Sequence, residues 1–260
     1  MKSVIYYPTL DGLQPISYYL HPGLWMIGTK EITDDRSVNN LSLIEWILRH
    51  LMYHGLREFI FLGKKQVEQL SAQRNLYTYD FDVDIIIKSS DELRTIELLN
   101  TLEDEDTLFY FGTVLSNTDF SKFIEYHQSH DKICTILVSK GIQYRVGLAK
   151  IDRNNKITAF MEKPYDTSMS SFTGIFILRK GWKNHLQDFL LNSTIAKGKE
   201  LGRSLVEEFV KFLISERDVK VHVKEGIDGA DSWWINLSEL ENWVKLNPEL
   251  IIKNYEFLTK

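Results

Sequence analysis

The chain lacks most of the features that would announce a special class of protein. It has a single cysteine, Cys134, among 260 residues, so no disulfide can form within it. Cys134 lies in the apolar run 133–138, which marks it as a buried structural thiol rather than a nucleophile. No apolar run approaches the roughly 20 residues that a membrane-spanning helix needs. The opening MKSVIYYPTLDG passes from a strand pattern to a turn, not to a cleavage site, so a cytoplasmic protein without membrane attachment is expected. Basic tracts are missing too. With 31 Lys and Arg against 36 Asp and Glu, a net charge of -5 and a pI near 5.8, the chain offers no broad surface for nucleic acid. A content of 43% hydrophobic and 26% charged residues excludes a disordered or fibrous chain, and the length suits one α/β domain over residues 1–260.

What is present alternates between strand and helix signals. Residues 3–7 form a strand whose Val4 to Tyr7 are β-branched and aromatic, and Pro8-Thr9-Leu10-Asp11-Gly12 stops it. Asn39 or Asn40 can cap a helix beginning near Leu41, with Leu43, Ile44, Ile47, Leu48 and Leu51 on one face and His54-Gly55 at its end. A strand at 58–62, a helix at 64–72, a strand at 83–88 and a helix from Ser89-Ser90-Asp91 to about Leu102 follow. This β-α-β-α order implies a parallel sheet with helices on both faces. Strands at 107–111 and 133–138 flank a helix opened by Ser116-Asn117-Thr118-Asp119-Phe120. Beyond them come helices at 182–191 and 204–215, a strand at 219–223 and a closing helix at 238–246. The acidic run Glu103-Asp104-Glu105-Asp106 reads as a solvated loop, since like charges adjacent in sequence rarely converge on one ion. His127 reads as a structural histidine.

The stretch YRVGLAKIDRNNKITAFMEKPYDTSMSSFTGIFILRK, residues 144–180, carries the most information. Apolar residues alternate through Val146, Leu148 and Ile151, the polar run 152–156 turns the chain, and Ile157, Ala159 and Met161 resume the alternation. The hairpin delivers Glu162, Lys163 and Pro164 to a strand end. A Ser-rich loop and a strand at 174–178 follow.

Gly147 with its spacing to Asp152, then Glu162-Lys163-Pro164, then Thr173-Gly174-Ile175-Phe176, resembles the core of the sugar-phosphate nucleotidyltransferases, of the glucose-1-phosphate thymidylyltransferase and mannose-1-phosphate guanylyltransferase kind. The passage SLIEWILRHLMYHGLREFIFLGKKQVEQL resembles the same family. The resemblance implies a single-domain α/β fold, the Rossmann-like nucleotide-diphospho-sugar transferase fold with a mostly parallel central sheet. It also implies that Gly147, Glu162, Lys163, Thr173 and Gly174 line the sugar-phosphate side of a pocket, although hairpin geometry alone would also keep Gly147, Pro164 and Gly174.

The other half of the family's site departs from the pattern. The phosphate-cradling loop is represented by residues 8–17, with one glycine and no arginine, and His21-Pro22-Gly23-Leu24 lacks the family's lysine. Ser90-Asp91-Glu92-Leu93 stands where the family has a Gly-Thr pair. Thr113 and Asn236 take the places of the two aspartates that hold Mg²⁺ in the family, and neutral ligands compete poorly with water for that ion. No catalytic residue and no resident cofactor is therefore expected. The expected protein is catalytically impaired, with a regulatory or complex-forming role in nucleotide-sugar metabolism. Its partners would be a sugar phosphate or nucleotide sugar, a second copy, or an active relative. The Trp233-Trp234 pair near Trp243 is a candidate subunit contact or a C-terminal segment packed on its own sheet. The alternative is an active sugar-1-phosphate nucleotidyltransferase with Mg²⁺ held by displaced residues such as Asp11, Asp91 or Asp231. A glycosyltransferase reading through Asp82-Val83-Asp84 is weak, because that motif begins a strand whereas ligands gather at strand C-termini.

Overall fold

A computed structural model describes residues 1–7, 21–28, 40–63, 65–71, 82–89, 95–143, 147–192, 204–216, 218–223, 233–238 and 243. Its frame is a seven-stranded sheet. In chain order the strands of this sheet are β1 (Lys2–Tyr7), β4 (Glu58–Gly63), β5 (Asp84–Ser89), β6 (Thr107–Phe111), β8 (Cys134–Gln143), β11 (Tyr165–Leu178) and β12 (Val219–Val223). Three short two-stranded pairs accompany it: β2 (Met26–Gly28) with β3 (Asn40–Ser42), β7 (Val114–Ser116) with β13 (Trp234–Asn236), and β9 (Leu148–Ile151) with β10 (Ile157–Met161).

The strand order is β12-β8-β11-β6-β1-β4-β5. β1 is parallel to both β4 and β6, β4 is parallel to β5, and β12 is parallel to β8. Among the described strands of this sheet only β11 runs the other way, antiparallel to β6 and β8. The chain winds outward from β1 through β4 to β5, then returns to place β6 on the opposite side of β1. That reversal puts the topological switch point at the C-terminal ends of β1 and β6, the place where open α/β sheets receive ligands.

The helices are α1 (Leu43–Tyr53), α2 (Thr95–Asn100), α3 (Phe120–Gln128), α4 (Trp182–Asn192) and α5 (Ser204–Ser215). The start of α1 differs from the sequence expectation. Asn40 belongs to a strand, and Ser42 is the cap: its backbone N–H and its hydroxyl donate to Glu45 Oε2 at 2.6 and 2.7 Å. A Ser with an acid three residues on holds the first turn from both directions, which an isolated Asn cannot do. The expected helix at 64–72 is a 3-10 helix over Lys65–Leu70. Of the helix expected from Ser89-Ser90-Asp91, residues 95–100 are helical and 91–94 lie outside the described residues, as do most of the loop 192–202 and the closing segment at 239–246 apart from Trp243.

The Ser-rich segment before Gly174 is strand, not loop. β11 begins at Tyr165 and pairs with an unexpectedly long β8. The composition signals a turn, but Ser171 Oγ donates to Gly141 O at 2.8 Å and Tyr165 Oη to Lys140 O at 2.7 Å. With a partner strand alongside, ladder bonds and side-chain bonds override the local preference. The turn signal survives as a kink, where Ser168 donates twice to Asp166 Oδ1 and the register shifts.

The core follows from the pattern of the central strands, which are apolar on both faces as buried parallel strands are. Phe109 and Phe176 face each other across β6 and β11 with rings stacked 5.0 Å apart. Trp46 and Trp182 are fully buried, and Trp233, Trp234 and Trp243 pack against the same core. Trp243 donates to Leu237 O at 2.8 Å and lies 4.8 Å from the Trp25 ring. Cys134 is buried, and burial drives its thiol pKa upward.

Candidate active site

At the end of β6 the chain runs Phe111-Gly112-Thr113. Gly112 N–H donates to Tyr6 O at 2.8 Å, extending the β1–β6 ladder by one bond. Thr113 is therefore set at the C-terminal edge of the sheet, beside the switch point. β13 returns antiparallel to β7, with Asn236 opposite Val114, and Leu237 N–H donates to Thr113 O at 2.6 Å. The backbone pairing carries Asn236 to Thr113. Thr113 Oγ1 donates to Asn236 Oδ1 at 3.2 Å, across 123 residues of sequence.

This pair is neutral and self-satisfied. Asn236 Oδ1 accepts a second hydrogen bond, from Ser238 N–H at 3.0 Å, so the amide oxygen already has two donors. Mg²⁺ requires oxygen ligands with enough charge to displace water. A hydroxyl and a doubly hydrogen-bonded amide do not supply it, and Thr113 is buried with its hydrogen aimed at the oxygen that would have to bind. The pair does not fit the ion. Among the described residues no group of three His, Cys, Asp or Glu side chains could hold a metal. Asp11, Asp91 and Asp231 lie outside the described residues.

The hairpin forms as its turn chemistry requires. Asp152 Oδ1 accepts from Asn154 N–H and Lys156 N–H at 2.8 and 2.9 Å, and Asn155 takes the left-handed conformation at φ 60°. Glu162 and Lys163 follow β10. Lys163 sits at φ 42°, a region that costs a non-glycine residue about 1 kcal/mol or more and persists only where the surroundings impose it. Gly147 lies under this corner. A Cβ there would stand 2.7 Å from Phe160 Cζ and 3.0 Å from Glu162 Oε2, so glycine is what lets the Glu162 carboxylate lie against the backbone.

Thr173 and Gly174 occupy a different place. Thr173 is buried and donates to Leu137 O at 2.8 Å, which commits its hydroxyl to the sheet. Gly174 has φ 83° and packs on the Phe111 ring, inside the register shift between Phe172 and Phe176. Its conformation is that of a bulge, where glycine avoids the Cβ penalty. The structure thus brings Gly147 together with Glu162, with Lys163 next in the chain. It brings Gly174 to the end of β6, one residue from Gly112, and Thr113 to Asn236.

Two further residues meet at this edge, Tyr7 and His21, which the sequence marks only as the last residue of a strand and the first residue of the motif that lacks lysine. Tyr7 closes β1 and is 3% exposed, and His21 is 1% exposed. Their rings meet edge to face at 4.4 Å. His21 Nδ1 accepts from Gly23 N–H at 3.0 Å, and burial lowers its pKa to about 3, so the imidazole is neutral. Burial, with Tyr110 nearby, raises the pKa of the Tyr7 phenol, which also stays neutral.

The remaining polar groups have structural work. Lys2 pairs with Glu103 and, at 2.7 Å, with Glu105. Asp106 Oδ1 and Asp104 Oδ1 accept from Lys180 and Gly181 N–H at 2.8 and 2.9 Å, just ahead of α4. The acidic run is therefore an anchored junction, not merely a solvated loop. His127 is buried, with Nδ1 2.6 Å from Thr135 Oγ1, and Arg179 donates to His127 O and His130 O at 2.6 and 2.5 Å at the C-terminal end of α3.

A mostly parallel sheet whose order reverses at β1 and β6, with one antiparallel strand inserted and a candidate site at the C-terminal ends, defines a Rossmann-like nucleotide-diphospho-sugar transferase fold. Comparison with known proteins agrees with that class. Residues 35–235 match the family described as Nucleotidyl transferase, and the chain belongs to that family. It is 25% identical over 212 residues to a Sulfolobus acidocaldarius protein provisionally named a mannose-1-phosphate guanyltransferase, covering 78% of this chain and 51% of the relative. It is 24% identical over 175 residues to a glucose-1-phosphate adenylyltransferase of Francisella tularensis subsp. mediasiatica, covering 60% of this chain and 40% of the relative. A mannose-1-phosphate guanylyltransferase of Mycobacterium tuberculosis is 23% identical over 152 residues, covering 58% and 38% of the two chains. The chain spans about half or less of the length of these curated relatives. A crystal structure of a protein from Bacillus anthracis, provisionally named a glucose-1-phosphate thymidylyltransferase, superposes with a TM-score of 0.66 at 15% identity, covering 94% of this chain and 93% of the other. At that identity the likeness shows the fold.

Proposed function

We propose that this chain is a nucleotidyl transferase family member that does not catalyse nucleotidyl transfer and instead acts in nucleotide-sugar metabolism as a regulatory or complex-forming protein. The observation that carries the reading is the Thr113–Asn236 hydrogen bond. Joining a nucleoside triphosphate to a sugar phosphate is an in-line displacement in which catalysis is mostly positioning and neutralisation of charge. At the two positions where the resemblance expects carboxylates, this chain has neutral groups bonded to each other. The loop stretch 8–17 carries no arginine, and Pro22 replaces the lysine.

What the chain keeps suits the other substrate. Glu162, held against Gly147, presents a carboxylate that accepts hydrogen bonds from sugar hydroxyls, and Lys163 presents an ammonium to a phosphate. The ligand proposed is a sugar phosphate or a related anion, bound at the corner after β10. Thr173 does not contribute its hydroxyl hydrogen, which is bonded to Leu137 O. An active relative is the proposed protein partner.

The test is a pyrophosphate-release assay over several pairs of nucleoside triphosphate and sugar 1-phosphate. The expected result is no turnover above background. A rate within the roughly 1–10³ s⁻¹ common for enzymes would overturn the proposal and turn attention to Asp11, Asp91 and Asp231 as metal ligands.

A further inference from the structure

The C-terminal ends of β1 and β6 are the place at which a sheet of this topology receives a ligand, and Tyr7 is the last residue of β1. A methyl group added at Gly112 would run into the ring carbons of Tyr7, so the ring rests on bare backbone at the end of β6. The His21 imidazole meets it in a T-shaped arrangement, with ring centroids 4.4 Å apart and planes at 84°. Near the hydroxyl, a Cβ at Gly23 would lie 2.8 Å from Tyr7 Oη and 3.1 Å from Leu70 Cδ2, which closes the tip. The phenol, 3% exposed, is thus packed on the glycine backbone at Gly112 and against a neutral imidazole.

The hydroxyl is the second, independent observation. Tyr7 Oη is buried and has no hydrogen-bond partner among the described residues, although buried polar groups are almost always paired. Packing alone would be met by phenylalanine. A ring with a polar tip and no partner for it marks a space able to take a polar planar group.

We infer that Tyr7 is a built-in occupant of the sheet's ligand position, standing where a planar ligand ring would stand, and that its removal opens a slot for a heterocycle of nucleobase size. The inference rests on the reading of the chain as non-catalytic and supplies a steric part of the reason: the position is filled from within the chain. It commits to the planar ring and not to the phosphates.

The experiment compares the full chain with Tyr7→Gly, using p-cresol, which is the missing side chain itself, and the nucleosides adenosine, guanosine and thymidine. Calorimetry and ligand-dependent thermal unfolding report binding. The expected result is that p-cresol and at least one nucleoside bind the variant with affinity about tenfold or more above that of the unaltered chain. Binding of p-cresol alone would mean a sealed core cavity and would overturn the inference, as would binding of neither or equal nucleoside binding by the unaltered chain. Should Tyr7→Gly fail to fold, the same compounds are added during refolding. Recovery by p-cresol and a nucleoside supports the inference, while recovery by p-cresol alone, or by neither, overturns it. Non-catalysis fails on turnover by the unaltered chain and this inference fails on nucleoside binding by the variant, so the two failures are distinguishable.

Discussion

Thr113 donates its hydroxyl hydrogen to Asn236 Oδ1 across 3.2 Å, and Ser238 N–H donates to the same oxygen at 3.0 Å. Changing both positions to aspartate replaces that satisfied neutral pair with two carboxylates at one place. In the absence of metal, Thr113→Asp with Asn236→Asp is expected to be less stable than the unaltered chain, because like charges share a partly buried site. Mg²⁺ should reverse the loss in the double variant only, by about 2.7 kcal/mol at a concentration one hundred times its Kd. Thermal unfolding with and without Mg²⁺ checks this. A melting temperature indifferent to Mg²⁺ in the double variant would show that the two side chains cannot form a metal site.

Lys163 combines a charge with a strained backbone at φ 42°. Lys163→Gly removes the ammonium and supplies the residue that this φ suits, so stability should hold within about 1 kcal/mol while sugar-phosphate binding is lost. Lys163→Arg keeps the charge and should keep binding. Calorimetry with a set of sugar 1-phosphates reads both. Unchanged binding in Lys163→Gly would leave the corner after β10 with a purely structural role.

Thr173 is expected to matter for stability and not for ligand binding. Thr173→Val keeps the shape but leaves Leu137 O without its donor, which should cost about 1–3 kcal/mol. A denaturant titration gives the cost, and calorimetry on the same protein should return an unaltered sugar-phosphate affinity. A selective loss of affinity with stability intact would return Thr173 to the site.

Tyr7→Phe removes a buried hydroxyl without a partner among the described residues. The variant should be as stable as the unaltered chain or more so, by up to about 1 kcal/mol, since no bond is lost and a desolvation cost disappears. A drop of the melting temperature by several degrees would reveal a partner for the hydroxyl.

Stability should fall with acidity below neutral pH. Burial lowers the pKa of His127 to about 4, with Arg179 adding to the effect, and lowers that of His21 to about 3. Both lie below the ordinary histidine value of about 6.5. Between those values the unfolded chain binds protons that the folded chain refuses, so stability rises with pH there and is fully present above about 7. Urea midpoints at pH 7 and pH 5 should differ in that direction. His127→Gln should flatten the slope, and an unchanged slope would remove His127 as its source.

Much of the fold was legible because its signals are local. The strand at 107–111, the helix at 204–215 and the strand at 219–223 stand where their apolar periodicity put them, since a period of two or of 3.6 needs no knowledge of a partner. The Ser-rich stretch reads as a loop in sequence and is strand in the structure for the converse reason. Its strand character comes from β8 alongside and not from its own side chains. Ser42 displaced Asn40 as the cap of α1 because the decisive group was Glu45, three residues further on.

The candidate site divides along the same line. Residue identities are facts of sequence: Thr113 and Asn236 are neutral, and Glu162 and Lys163 are charged. Only the tertiary structure decided that the Thr113 hydroxyl meets Asn236 Oδ1, that the Thr173 hydroxyl belongs to the sheet, and that the Tyr7 ring packs on Gly112. Each of these depends on where a distant backbone comes to rest: β13 beside β7, β8 beside β11, Gly112 beneath a ring from β1. Composition and periodicity determine which surfaces must be buried. Which buried groups then meet is set by the packing of the whole sheet, where short-range contacts and hydrogen bonds act only between atoms that the fold has already brought together.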